Sequence, residues 1–287
     1  MTAAGEHEHI ESWVGRRAHA TDVVTDSPIR RLAATLDRDD PLPAPGDPLP
    51  PCWHWLYFLG DERQSALGSD GLGARDGLLP PSPLPRRMFA GTRFTFHRPI
   101  RVGDSMERET EVASADVKEG RGGALLFVTM RHSIHVPAGL AVTEDYNIVY
   151  RDEPKEGEAP PPGRPPPAEA TFSRTIRPDP VLLFRFSALT FNSHRIHYDQ
   201  PYVTGVEGYP GLLVHGPLTV ILLFDLLRRE MPDAALASIS FRAMRPLYAG
   251  ADLPLAGASA ADGRSAQLWA LDPTGAVAMS AEAEFSG

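Results

Sequence analysis

Gly211-Leu-Leu-Val-His215-Gly216-Pro217 runs straight into Leu218-Thr-Val-Ile-Leu-Leu-Phe-Asp-Leu-Leu227, and this join decides the architecture. A glycine and a proline ahead of a long apolar run predict a helix that begins there. Apolar residues on all its sides predict that it is buried rather than laid on a surface. Fourteen residues before Gly211 stands His197, within Thr190-Phe-Asn192-Ser193-His194-Arg195-Ile196-His197-Tyr198-Asp199. That segment crowds two imidazoles, an amide, a guanidinium and a carboxylate into one turn. Packing alone rarely asks for such density. A polar turn beside the positive end of a buried helix is a candidate acid/base next to an anion-stabilising backbone.

Outward from this centre the chain divides in two. Glu153 to Ala170 is proline-rich, charged and almost free of large apolar side chains, which predicts an extended, semi-rigid linker. The expected organisation is a first domain over 1–152, the linker over 153–170 and a second domain over 171–287. The two parts echo each other. Phe94-Thr-Phe-His-Arg98-Pro99-Ile100-Arg-Val-Gly103 and Phe241-Arg-Ala-Met-Arg245-Pro246-Leu247-Tyr-Ala-Gly250 share Phe, Arg-Pro, an aliphatic residue and Gly at equal spacing. Ser27-Pro28-Ile29 and Asp179-Pro180-Val181 each set a capping residue before a proline and an apolar helix. Two matches in the same order, offset by about 150 residues, point to a tandem duplication.

In the first part, Ile29, Leu32, Ala33 and Leu36 have the spacing of a one-sided helix, with Asp39-Asp40-Pro41 as its expected end. Proline-dense loops follow, then strands over 91–96, 105–112, 124–136 and 140–150. Glu107, Glu109 and Glu111 alternate as on a half-exposed strand. The second part repeats the order: a helix from Pro180, the polar turn, the long helix, then strands near 238–246, 265–271 and 276–285. Helices followed by long antiparallel strands predict an α+β layer design.

Composition narrows the function classes. With 287 residues, 42% of them hydrophobic, the chain can bury one large or two moderate cores. A formal charge of -9 offers no global positive field for nucleic acid or an anionic membrane. Cys52 stands alone, which rules out an intramolecular disulfide and fits a reducing compartment. Met1 to Trp13 lacks the basic start and apolar core of a secretory signal. The longest apolar run, roughly ten residues, is about half a membrane span. The expected location is the cytoplasm. There is no phosphate-binding Gly-x-x-x-x-Gly-Lys loop, no dinucleotide Gly-x-Gly-x-x-Gly and no His-Glu-x-x-His site.

The polar turn, the following Gly-x-x-x-His-Gly and the helix from Pro217 resemble the MaoC-like dehydratases, relatives of the (R)-specific enoyl-CoA hydratases. The form Thr-x-Asn-x-His-Arg-Ile-His-Tyr-Asp is similar to a branch containing 3-methylfumaryl-CoA (mesaconyl-C4-CoA) hydratases and hydroxyacyl-thioester dehydratases of type 2. Arg93-x-x-Phe96-His97-Arg98-Pro99-Ile100-Arg101-Val102-Gly103-Asp104 points the same way. The resemblance implies a double hot-dog fold in which antiparallel sheets each wrap a central helix, with a degenerate first half and a catalytic second half. It also implies hydration or dehydration of an α,β-unsaturated acyl-CoA or acyl-carrier-protein thioester, without cofactor or metal.

Such a reaction makes two demands. Charge builds on the thioester oxygen, which unpaired N–H groups at the helix start near Gly216 can stabilise. A proton must also move between water and the α-carbon, a task for His197, which occupies the family's catalytic histidine position. Where the family has an aspartate this chain has Asn192, whose amide can hold a water but cannot act as a base. Three remedies stay open: His197 performs both proton steps, His194 shares them, or Asp199 polarises an imidazole. The first, with Asn192 positioning the water, is preferred. His215 orders the helix start beside the substrate. Arg195 can meet a substrate carboxylate or a CoA phosphate, or simply pair with Asp199. Arg245, with Arg242, can reach a CoA phosphate or stand solvated. Trp53-His54-Trp55 is core or a wall of the acyl tunnel. A monomer and a homodimer are both compatible with a chain that pairs its own halves, and a non-catalytic acyl-thioester binder is the rival reading.

Overall fold

The computed structural model of the chain describes residues 10–73, 78–80, 82, 84, 86–120, 123–152 and 163–286. Ten strands are named here in chain order: β1 (Arg17–Val23), β2 (Arg86–Phe96), β3 (Ser105–Gly120), β4 (Gly123–Val136), β5 (Gly139–Arg151), β6 (Phe172–Ile176), β7 (Leu236–Ala243), β8 (Leu253–Ser259), β9 (Ser265–Leu271) and β10 (Val277–Phe285). They form one antiparallel sheet in the order β1-β3-β4-β5-β2-β7-β10-β9-β8-β6. The α-helices are α1 (Asp26–Thr35), α2 (Pro180–Leu189), α3 (Gln200–Gly205) and α4 (Gly216–Glu230).

The order is its own mirror about the junction of β2 and β7. There Arg93 faces Ser240, with Gly91 opposite Arg242 and Thr95 opposite Ser238. The two glycines that close the repeated Arg-Pro segments, Gly103 and Gly250, both sit at positive φ (96° and 89°), where a side chain would strain the turn. Their N–H groups make matching bonds, to Val24 O at 2.8 Å and Pro178 O at 2.7 Å. The strongest sequence match between the halves therefore lies where the backbone demands it.

α4 is wrapped as its composition requires. Leu218 to Leu227 are all buried, in a core that also takes in Ile29, Leu32, Trp53, Phe94, Ile239 and Phe241. Asp225, the one carboxylate in the apolar run, is held by Arg38 at 2.7 Å, Arg174 at 3.1 Å and Arg229 at 2.7 Å. A buried charge persists only with such pairing. α2 begins as expected, Asp179 Oδ1 accepting the Leu182 N–H at 2.8 Å with Pro180 behind it.

α1 differs from its expectation at both ends. It starts at Asp26 behind Thr25, so Ser27 lies inside the first turn rather than capping it. It stops before Asp37, which takes a left-handed φ of 52° two residues ahead of the acidic pair thought to end it. A larger difference concerns the first half's interior. The α+β double layer is present, but only the second half supplies a long central helix. Between Thr35 and Arg86 the described residues contain no α-helix, and a short 3-10 turn, Trp53–Leu56, buries Trp53, His54 and Leu56 instead. Large aromatic side chains fill the volume that a helix would otherwise need. Of the proline-rich segment, residues 153–162 lie outside the described residues. Residues 163–170 carry no helix or strand, and Arg164 O accepts the Val277 N–H at 2.9 Å. Among the described residues no helix is long and apolar enough to cross a membrane.

Candidate active site

The polar turn is folded by its own side chains. α2 ends at Thr190, Phe191 turns left-handed (φ 48°), and Asn192 donates its N–H to Ser187 O at 2.8 Å. Asn192 Oδ1 accepts the His194 N–H at 3.0 Å, an Asx turn. One 3-10 turn, Arg195–His197, follows. Asp199 then caps α3 with one carboxylate oxygen, accepting the Tyr202 N–H at 3.1 Å. Its other oxygen takes two bonds from Arg195, at 3.0 and 2.8 Å. Tyr198 Oη closes the turn on Ser193 O at 3.0 Å.

Two bonds tie this turn to the segment entering α4. Leu213 N–H donates to Ile196 O at 3.0 Å, and His197 Nδ1 meets Leu213 O at 2.9 Å. A carbonyl only accepts, so Nδ1 carries the proton and Nε2 keeps its lone pair. The ring of His197, 8% exposed, stacks on His215 with centroids 3.6 Å apart. His215 immediately precedes α4, so His197 lies against the helix start, as the sequence reading required. His194 stands perpendicular to His197 at 5.5 Å.

Burial disfavours charge on all three imidazoles. His197 is pushed down to about 4, by burial first, against the Leu213 hydrogen bond that raises it and with His194 adding to the fall. His194 also falls to about 4 through burial; Asp70 pulls it up and Arg87 pushes it down. His215 lies well below the ordinary histidine value, again by burial. The three imidazoles thus form a cluster of neutral rings at neutral pH.

The other expected site residues are each engaged within the protein. His215 is fully buried, bonding Ser187 Oγ through Nε2 at 2.8 Å, while its Nδ1 has no partner among the described residues. Its ring lies against that of His197. Arg195 is committed to Asp199, to Ser69 O at 2.9 Å and to the Tyr202 ring, 3.9 Å below its guanidinium carbon, so it braces the turn. Arg245 is held by Asp272 at 2.8 Å, on the turn between β9 and β10. Asn192 spends Oδ1 on the turn, and its Nδ2 has no hydrogen bond within the protein among the described residues. Among those residues no cluster of His, Cys, Asp and Glu is arranged to hold a metal ion.

What the sequence reading missed comes from the first half. Ser193 Oγ donates to Gly71 O, and Arg195 N–H to Asp70 O at 2.8 Å, so a first-half loop grips the second-half turn. Gly71 is required: at φ 84° its absent Cβ would lie 2.1 Å from Ser193 O. Gly216 is required too, because a Cβ there would stand 2.7 Å from the ring of Phe89 on β2. Phe89 leans on Tyr146 at 5.2 Å and precedes a bulge at which Gly91 avoids Phe241 O. No local pattern announces these contacts, since each joins segments far apart in sequence.

A helix N-terminus held against a buried, neutral histidine in a doubled antiparallel sheet defines a hot-dog protein of the dehydratase type. The chain belongs to the family of hydroxyacyl-thioester dehydratase type 2, whose profile matches residues 52–249. It is 44% identical to mesaconyl-C(4)-CoA hydratase of Chloroflexus aurantiacus over 276 residues, 96% of this chain and 98% of that one. Among solved structures, a MaoC-like dehydratase from Phytophthora capsici superposes with a TM-score of 0.71 over 97% of both chains at 15% identity. A Mycobacterium tuberculosis protein described as having a double hotdog fold gives 0.58 over 95% of this chain and 96% of its own, at 14% identity. These two likenesses carry the fold.

Proposed function

We propose that this chain adds water to, or removes it from, the double bond of an α,β-unsaturated acyl-CoA, and that its acyl group is small, branched and dicarboxylic, of the 3-methylfumaryl type. The observation that carries the reading is the 44% identity to a mesaconyl-C4-CoA hydratase over nearly the whole of both chains. The geometry supports the chemistry. His197 Nε2 receives a proton from water as the oxygen attacks the β-carbon, and Leu213 O holds the tautomer that keeps Nε2 free. Electron density moves onto the thioester oxygen, where backbone N–H groups at the start of α4 stabilise it. The imidazolium then returns a proton to the α-carbon. With a value near 4 it is a strong acid for that second step. Asn192 Nδ2 is a donor for the attacking water. The second half is catalytic in this reading, and the first half shapes the acyl pocket.

A second reading, dehydration of 3-hydroxyacyl chains on CoA or carrier protein, follows from the family profile. Incubation with a panel of enoyl- and 3-hydroxyacyl-CoA thioesters, read by mass spectrometry, separates the two. A gain of one water on a 3-methylfumaryl-type thioester supports the first, and loss of water from unbranched 3-hydroxyacyl chains alone supports the second. Binding without either change would leave an acyl-thioester carrier.

A further inference from the structure

We infer that Arg87, carried on β2 of the first half, is the specificity-determining cation of the site and receives a carboxylate borne by the acyl chain. The inference rests on the hydratase reading and names what selects its substrate. In β2 Arg87 pairs with Tyr150 and Phe89 with Ile148, so the two residues share one face of the strand, before the bulge disturbs the alternation. Phe89 on that face covers Gly216 at the start of α4. One pleat further out, about 7 Å along the strand, Arg87 stands at the exposed edge of the same surface. On the opposite face Arg86 is engaged separately, by the Tyr209 ring at 5.2 Å and Glu207 O at 3.3 Å.

The Arg87 side chain has no ion pair or hydrogen bond within the protein among the described residues. Arg38, Arg131, Arg174, Arg195, Arg229 and Arg245 each face a carboxylate. Its charge reaches both Tyr146, under Phe89, and His194, across the site. Asp70, the acidic group that also acts on His194, spends Oδ1 on the Leu72 N–H at 3.0 Å. The imidazoles are neutral, so none of them balances a substrate anion.

The substrate's chemistry places its charge here. In a fumaryl-type thioester the free carboxylate sits on the β-carbon, the atom that water attacks beside His197. A cation serving it must border the imidazoles, and a planar guanidinium grips a carboxylate through two parallel bonds. A CoA phosphate is the other anion that Arg87 could meet, and the two sources are separable.

The test compares wild type with Arg87→Met, which keeps the stem, and Arg87→Lys, which keeps the charge. Calorimetric binding of succinyl-CoA and butyryl-CoA reads the carboxylate without any turnover. Wild type is expected to bind succinyl-CoA roughly 10- to 100-fold more tightly, the size of a charged hydrogen bond. Arg87→Met should erase the preference, and Arg87→Lys should keep part of it. Hydration of fumaryl-CoA should fall in Arg87→Met by a similar factor while crotonyl-CoA hydration, where present, stays within about 3-fold. Equal losses on both ligands would assign the anion to CoA and overturn the inference, as would an unaltered preference. A wild type that hydrates no thioester but prefers succinyl-CoA would sink the hydratase reading and leave Arg87 in its role.

Discussion

The two halves share a strand order and differ in what the strands enclose. The second half wraps α4, whose start meets His197, whereas the first wraps aromatic side chains around a buried carboxylate. Glu144, 2% exposed, accepts Trp55 Nε1 at 3.0 Å and Thr92 Oγ1 at 3.1 Å, and His54 Nε2 lies 3.5 Å away. Burial alone would push Glu144 up, yet His54, His132 and Trp55 together outweigh it and hold the carboxyl below its usual value. Both halves contain a histidine with a polar neighbour inside a hot-dog sheet. In the second half that histidine lies against His215 at the start of α4, whose unpaired N–H groups are suited to stabilising a developing anion. The first half contributes Phe89, which covers Gly216, and the loop of Gly71, whose carbonyls hold Ser193 and Arg195.

That contrast can be broken by paired deletions. His197→Ala should lower kcat/KM for hydration by about 10²- to 10⁴-fold, the usual size of a lost general acid/base, with the circular dichroism spectrum unchanged. Glu144→Gln should leave kcat within about 3-fold and instead lower stability by about 2 kcal/mol, because it weakens a buried hydrogen-bonded cluster. Comparable activity losses in the two variants would mean that the first half carries chemistry of its own.

A pH titration tests the same contrast less invasively. His194 and His197 fold at about 4, below their unfolded value near 6.5. His215 is shifted in the same direction. The stability that their neutral burial contributes is full above pH 6.5 and is lost progressively as pH falls towards 4, since the unfolded chain takes up protons that the folded one refuses. The loss should total a few kcal/mol. His197→Gln, replacing one of the three rings, should flatten the denaturant midpoint between pH 7 and pH 5. A midpoint equally steep in wild type and variant would show that His197 titrates near its ordinary value.

Most of the fold was legible because repetition and periodicity are local signals. Strands β2 to β5, β7, β9 and β10 overlap the expected stretches, β2 starting earlier at Arg86 and β3 running on to Gly120, and α4 falls on the apolar run. Strands β1, β6 and β8 were missed. Arg17–Val23 and Phe172–Ile176 are edge strands whose polar residues meet solvent on the unpaired side, and Pro254 interrupts β8 near its start. In the site, the turn and the helix start could be read because they are adjacent in sequence. Asp225 left a trace, a lone carboxylate in an apolar helix. Phe89 left none, because a phenylalanine on a strand comes to cover Gly216 only through the folding of the halves onto each other.

The finest test of that pairing lies at Gly216. A methyl group there would meet the Phe89 ring at 2.7 Å, and the ring cannot simply retreat because Tyr146 stands behind it at 5.2 Å. Gly216→Ala should therefore cost about 1–3 kcal/mol by overpacking and reduce hydration by displacing the N–H groups at the helix start. Phe89→Leu alone removes part of the wall and should cost about 1 kcal/mol. If the halves meet as described, the double variant should be more stable than the sum of the single losses allows, with a coupling of about 1 kcal/mol in denaturant melts. Additive losses would mean that Phe89 does not cover the start of α4, and the first half's claim on the acyl pocket would then rest on Arg87 alone.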